Sequence, residues 1–203
     1  LTAQQSAIEI GPALATMHFE AGTIASAAKQ PDAAIKHYTS AATLAPTDAR
    51  YPLYLGVMQA QVGQDAAATA SLLKALRLDG NLAEAYGTLT ELALKANNTD
   101  LARQHIDKAL ALKPTSDVYR FINAKVYKRA GDAKTAANIL LALDDATRLQ
   151  PAYLQLLAEC FGLLQRPADA AAQYAAASDA KLTDRDLATK AAEWYDRAGN
   201  ATA

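Results

Sequence analysis

A period of 34 residues runs through the whole chain and constrains its fold more than any other feature. Alanines recur at this interval, and four positions after each stands a large apolar or aromatic residue. The two series are Ala34, Ala68, Ala102, Ala136 and Ala170, followed by Tyr38, Leu72, Ile106, Leu140 and Tyr174. Small and large residues at fixed places in every unit predict that each unit packs on its neighbours in the same way.

The residues within each unit favour two helices joined by a short turn. Alanine is the commonest residue, and helix suits alanine better than strand does. Helix breakers lie near the middle of the units, at Gln30-Pro31-Asp32, Gly63, Asn97-Asn98, Gly131-Asp132 and Arg166-Pro167. Proline suits the first turn of a helix, and glycine or asparagine suits the position that ends one. The sequence therefore predicts an all-α chain.

This pattern resembles the tetratricopeptide-repeat family, which has an aromatic residue, Leu-Gly, Tyr, Ala-x3-Phe and Pro on the same period. The resemblance covers essentially the whole chain, although Thr90, Ala124 and Ala158 replace the close-packing glycine in the third to fifth units. It implies an α-solenoid, a right-handed superhelix of antiparallel helix-turn-helix repeats. The residues that match are Leu55-Gly56, Gly63, Ala68, Leu72, Ala75, Tyr86, Leu89, Ala102, Ile106, Ala109, Pro114, Tyr127, Gly131, Ala136 and Leu140.

The period divides residues 1–203 into one repeat domain with incomplete units at both ends. Gly11-Pro12 matches Lys113-Pro114, so residues 1–14 resemble the second half of an earlier unit. Tyr195 and Gly199 likewise make residues 185–203 resemble the first helix of a sixth unit. We expect a piece of a longer array; the alternative is a natural capping helix at each end. The full repeats are predicted at 15–48, 49–82, 83–116, 117–150 and 151–184.

The nucleophilic and titratable residues form no catalytic or metal-binding pattern. None of His18, His37 and His105 has a partner at i+4 or a cysteine at metal-ligand spacing. His18 takes the aromatic position of its repeat, so we expect it to pack. Cys160, beside Phe161 within a first helix, is expected to be a buried and inert thiol. We therefore predict no enzyme activity, no metal and no cofactor.

The charge balance argues against two classes of partner. Lys and Arg number 20 against 21 Asp and Glu, so no basic field attracts nucleic acid. No apolar run approaches the roughly 20 residues that span a bilayer. We predict neither nucleic-acid binding nor direct membrane insertion, and the compartment stays open between the cytoplasm and a bacterial periplasm.

The resemblance implies that a partner binds in a concave groove that the family lines with the first helix of each unit. Apolar side chains beside the cations Lys125, Lys128 and Arg129 would fit a peptide or helix with hydrophobic anchors and acidic groups. The alternative is that the aromatic residues belong to the hairpin core and the cations form a solvated face. The predicted groove residues are Phe19, Leu53, Tyr54, Val57, Glu91, Phe121, Ile122, Lys125, Lys128 and Arg129.

The functional prediction is a non-enzymatic protein-interaction scaffold, as part of a larger bacterial protein or assembly. The alternative is the regulatory or substrate-binding arm of a larger enzyme whose catalytic domain lies outside this chain. Self-association through exposed array ends is a further hypothesis. The subclass that clamps a chaperone's C-terminal carboxylate is not favoured, because Phe19 and Thr23 stand where it has lysine and asparagine.

Overall fold

The computed structural model describes the backbone of residues 3–180 and 184–201 and the side chains of residues 11–144, 146–180 and 184–199. Residues 1–2, 181–183 and 202–203 of the predicted repeats lie outside it. The described part consists of helices and short connections, which confirms the all-α prediction. The helices are α1 (Ala3–Ala27), α2 (Pro31–Leu44), α3 (Arg50–Gln61), α4 (Asp65–Leu78), α5 (Ala83–Lys95), α6 (Thr99–Leu112), α7 (Asp117–Arg129), α8 (Ala133–Leu141), α9 (Asp145–Arg148), α10 (Pro151–Leu163), α11 (Pro167–Ala180) and α12 (Arg185–Ala201).

The packing divides the chain into two compact units, Leu1–Ala96 and Asn97–Ala203. In the first unit, the hairpins α1–α2 and α3–α4 pack side by side, and α5 packs on α3 and α4. In the second unit, α6 packs on α7, and the pairs α7–α8, α10–α11 and α11–α12 follow in chain order. Each unit is thus a row of neighbouring antiparallel helices, the arrangement of an α-solenoid.

The residues that define the period are buried in the second helix of each full repeat. The five periodic alanines are all 0 % exposed, and the five large residues that follow them are at most 5 % exposed. Because an alanine leaves room for two helices to approach, the larger side chain four positions later fills the space beside it. The periodic small and large residues are therefore buried in every full repeat.

The turn between the two helices of a repeat contains a residue with positive φ at the same position in every full repeat. Five of the residues that the structure describes have positive φ, between 56° and 87°, and they are spaced by 34 along the chain. Glycine and asparagine accept this conformation at little cost, whereas lysine and glutamine are strained in it. The residues are Lys29, Gly63, Asn97, Gly131 and Gln165.

A single helix runs through the repeat boundary predicted between residues 14 and 15. Helix α1 is continuous from Ala3 to Ala27 although Pro12 lies inside it, and an interior proline costs a helix about 3 kcal/mol. This part of α1 packs against the end of α2: a Cβ at Gly11 would lie 3.5 Å from the Leu44 carbonyl oxygen, and Ala15 is fully buried. Tertiary packing thus outweighs the local signal for a break.

The second helix of the fourth repeat is interrupted. Helix α8 has only 9 residues, and the Asp144 carboxylate starts α9 by accepting the Thr147 backbone N–H at 2.6 Å. The Arg148 side chain donates to the carbonyl oxygens of Leu143 at 2.9 Å and Leu141 at 2.7 Å. Arg148 stands where two other repeats have a proline, Pro46 and Pro114, and here it satisfies one carbonyl group at the end of α8 and one just after it.

In the part of the chain that the structure describes, no helix contains an apolar stretch long enough to cross a bilayer.

Candidate partner-binding site

An aromatic cluster lies on the first unit, where α1, α2 and α3 meet. The Phe19 ring lies 5.8 Å from Tyr38, 5.5 Å from Tyr51 and 5.0 Å from Tyr54, between ring centroids. The contact with Tyr54 is edge-to-face, an orientation that aromatic pairs favour. Tyr38 and Tyr51 are buried, whereas Tyr54 remains 37 % exposed. The cluster therefore holds one exposed tyrosine in a fixed orientation.

An arginine borders this cluster. The Arg50 guanidinium lies 5.9 Å from the Phe19 ring centroid and 5.5 Å from that of Tyr51, within the range of cation–π attraction. It also forms a 2.6 Å ion pair with Asp48. The side-chain hydrogen bond from Arg50 is the largest effect holding the pKa of Asp48 below its ordinary value. Arg50 is therefore already oriented before any partner binds.

A pocket of about 220 Å³ opens next to the predicted groove residues Val57 and Glu91. Val57 and Leu92 form its apolar floor, because both pack on the buried cluster beneath them. A 2.7 Å ion pair between Lys95 and Asp65 lies on its rim. The full lining is Val57, Ala60, Gln61, Asp65, Thr88, Glu91, Leu92 and Lys95.

Two predicted groove residues are not on the surface. Leu53 and Ile122 are each only 6 % exposed, so they offer a partner almost no area in the free protein. Leu53 packs among Leu72 and Leu89 in the core of the first unit. The helical period predicts which face of a helix a residue lies on. Whether that residue is exposed depends on how closely the neighbouring helix packs against that face. These two residues support the surface and do not form it.

On the second unit, Phe121 and Val118 line a pocket of about 190 Å³. Val118 is 65 % exposed, while Phe121 is half-buried against the core of this unit. The Lys125 ammonium lies 5.3 Å from the Phe121 ring centroid. The rest of the lining, which includes Thr147 of α9, was not predicted, because the interruption of α8 that places it there has no clear sequence signal. The other lining residues are Asp117, Gln150 and Tyr153.

The predicted basic stripe on α7 does not present three equivalent cations. Lys128 forms an ion pair with Glu159 of α10, and Arg129 donates a hydrogen bond to the Asn97 side chain. Lys125 lies over Phe121. Because Glu159 offsets part of the positive charge, the attraction of this face for an acidic partner is weaker than the sequence suggested. That a partner contacts these cations stays a prediction.

The described residues contain no group of three or more His, Cys, Asp and Glu that could hold a metal ion. Cys160 is fully buried, as predicted. Burial raises the pKa of its thiol to about 11, so the reactive thiolate is scarce at neutral pH.

Comparison with solved structures identifies proteins with a similar fold. No protein-family model matches the chain, and no curated protein matches it either. Among solved structures, a tetratricopeptide-repeat protein of Thermus thermophilus is 22 % identical, with a TM-score of 0.71 over 89 % of this chain and 98 % of that one.

Two further solved structures have a similar fold. YrrB, a tetratricopeptide-repeat protein described as having an unusual peptide-binding site, is 18 % identical, with a TM-score of 0.67 over 94 % of this chain and 98 % of its own. A chain of the APC/C hetero-tetramer Cut9–Hcn1 is 16 % identical, with a TM-score of 0.80 over 90 % of this chain and 36 % of that one.

The class of protein follows from these likenesses together with the hairpins and their period. The chain has the tetratricopeptide-repeat fold, as the sequence indicated. Its sequence identity to these proteins lies below 25 %, so the similarity establishes the fold alone. The function has to be inferred from the surface of this protein.

Proposed function

We propose that this protein is a non-catalytic interaction scaffold that binds a peptide or helix of a partner protein against the first helices of its repeats. The partner inserts apolar side chains into pockets beside these helices. The fold supports this proposal, because stacked helical hairpins present extended binding surfaces, and YrrB has a peptide-binding site on the same fold.

The pocket beside Val57 is the observation on which the proposal depends. Its volume, about 220 Å³, is below the roughly 300–1,000 Å³ typical of small-molecule sites. It therefore suits an amino-acid side chain better than a cofactor. Its apolar floor and its charged rim of Glu91 and the Lys95–Asp65 pair match the usual composition of a protein interface, apolar in the centre and polar around it.

Tyr54 supplies a second feature that favours protein binding. Tyrosine is enriched among the residues that contribute most to binding, because it offers a large area with few rotatable bonds. Here Phe19 and Tyr38 already fix the Tyr54 ring, with centroids 5.0 Å and 5.9 Å away. A partner that covers this ring would lose little side-chain entropy in ordering it.

The second unit offers the same combination in a different form. Phe121 and Val118 provide apolar surface, and Lys125 stands beside the Phe121 ring. An acidic residue next to an apolar anchor of the partner would meet Lys125 there. We therefore expect apolar anchors to dominate recognition and acidic groups to modulate it.

Selection of displayed peptides tests this proposal. Random peptides are selected on the wild-type protein, and their affinities are measured by fluorescence anisotropy for the wild type and three variants, Thr88→Arg, Thr39→Arg and Tyr54→Ala. Thr88→Arg fills the pocket of the first unit. Thr39→Arg is the matched control, because Thr39 lies on the second helix α2 and makes the same hydrogen bond to the carbonyl four residues earlier as Thr88 does.

We expect Thr88→Arg to weaken binding at least about tenfold, equivalent to about 1.4 kcal/mol, and Thr39→Arg to leave it unchanged. Tyr54→Ala should weaken the same peptides. If the selected peptides bind all three variants as tightly as the wild type, the partner surface lies elsewhere and the proposal is wrong.

A further inference from the structure

The two histidines of the first unit face each other across its first hairpin. His18 lies on α1 and His37 on α2, and their Nδ1 atoms are 3.1 Å apart. The ring centroids are 5.4 Å apart, and the ring planes are inclined at 39°. Both side chains are half-buried, so the hairpin holds each imidazole while part of the side chain stays open to solvent.

The backbone of this hairpin keeps the two histidines together. One turn after His18, a Cβ at Gly22 would lie 2.7 Å from the ring of Tyr38, the residue next to His37. The helices are therefore in close contact at this point, and the fully buried Ala34 and Ala41 line the same interface. Such packing leaves little freedom for the two imidazoles to separate.

The distance between the two nitrogens fits ligands of one transition-metal ion. With metal–nitrogen bonds of about 2.0–2.1 Å, two nitrogens 3.1 Å apart subtend roughly 95–102° at the metal. This angle lies between those of square-planar and tetrahedral coordination, so Cu²⁺, Ni²⁺ and Zn²⁺ all suit it. A neutral pair can instead share one hydrogen bond, in which one Nδ1 donates and the other accepts.

We propose that His18 and His37 form a two-imidazole site for a divalent transition-metal ion, which links α1 to α2. No third His, Cys, Asp or Glu of the described residues completes the ligand set, so water fills the remaining positions. The ion is therefore exchangeable. Because the site exists only when the hairpin is folded, metal binding stabilises the first unit against unfolding.

The spacing of the histidines in the sequence does not indicate this site. Spacing rules find histidines one helical turn apart on one helix, whereas these two are 19 residues apart on different helices. Only the hairpin brings them together.

Thermal unfolding with and without metal tests the proposal. Protein without a polyhistidine tag is followed by far-ultraviolet circular dichroism with millimolar NiCl₂ or ZnCl₂, and with MgCl₂ as an oxygen-preferring control. We expect nickel and zinc to raise the midpoint of the first unit by about 2–4 °C and magnesium to have no effect. Calorimetric titration with Ni²⁺ should show one site per chain.

Three single substitutions locate the effect. His18→Gln and His37→Gln should each abolish the shift, whereas His105→Gln, the matched control in the other unit, should keep it. A shift that survives either of the first two substitutions, or no shift in the wild type, overturns the proposal.

A measurement on the wild-type protein covers the case in which these variants do not fold. Substoichiometric Ni²⁺ should broaden the imidazole proton resonances of His18 and His37 before that of His105. Equal broadening of all three resonances contradicts the proposal.

Discussion

A Cβ atom at Gly56 would lie 2.7 Å from Cγ of Leu72, closer than real Cβ atoms approach a neighbour. One period earlier, Gly22 faces Tyr38 at the same distance. In both hairpins the glycine of the first helix lets the second helix approach, and the large buried residue occupies the space that a side chain would need. In these two hairpins the packing therefore requires glycine at this position, whereas the later repeats accommodate Thr90, Ala124 and Ala158 there.

Gly56→Ala should destabilise the first unit although alanine favours helix. Leu72 is fully buried and cannot move aside, so overpacking should lower the free energy of unfolding by about 1–2 kcal/mol after the gain in helix propensity. Gly199→Ala is the control, because nothing lies within 4 Å of that Cβ position. Urea unfolding measures both; a Gly56→Ala protein as stable as the wild type would contradict the close contact.

Reversing the charge of Lys128 should destabilise the second unit through its ion pair with Glu159. The two side chains are 27 % and 31 % exposed, and pairs this accessible are worth about 0.2–1 kcal/mol. The double variant Lys128→Glu/Glu159→Lys should recover most of the stability that each single variant loses. A double-mutant cycle by urea unfolding measures the coupling, and purely additive losses would show that the pair contributes nothing.

Cys160 should resist thiol reagents until the second unit unfolds. With a pKa of about 11, only about one thiol in a thousand is ionised at pH 8, and burial blocks access. Ellman's reagent should label it slowly in buffer and fully in denaturant. A cysteine placed at exposed Thr39, in a Cys160→Ala background, should react at once and is the control; equally fast labelling of the native wild type would contradict the burial.

The Cys160 thiol should make the protein less stable as the pH rises into the alkaline range. Its pKa is raised on folding from an ordinary value of 9.0, so the unfolded chain loses this proton first. The stabilisation from the neutral buried thiol is present in full below pH 9 and disappears as the pH rises towards about 11. Cys160→Ala should flatten the stability profile in this window, measured by thermal unfolding.

Lys29→Gly should stabilise the first hairpin. Lys29 has a φ of 56°, which costs a non-glycine residue about 1–2 kcal/mol. The glycine loses more backbone entropy on folding, so the expected net gain is about 0.5–1 kcal/mol. Gly63→Ala, the reverse change at the equivalent turn with a φ of 80°, should lose a similar amount. If both variants unfold at the wild-type urea concentration, these turns do not limit stability.

The candidate site was predictable only in part. Val57 and Glu91 were placed on one face from their positions in the repeat, and the structure brings them to one pocket. Leu53 and Ile122 satisfied the same positional rule but are buried, because burial depends on how closely the next hairpin packs. Thr147 lines the second pocket only because α8 ends early. The sequence around Leu141 contains no clear signal that predicts this early end.

By itself, the sequence determined the all-α class, the pairing of most helices and the buried positions, since small and large residues at fixed places in a 34-residue period favour one way of stacking hairpins. The tertiary structure alone decided which long-range neighbours meet. It carried α1 through Pro12, paired Lys128 with Glu159 and set His18 against His37. The physical reason is that the period specifies which helices pack together, whereas the side chains that meet across them depend on the distances between the packed helices.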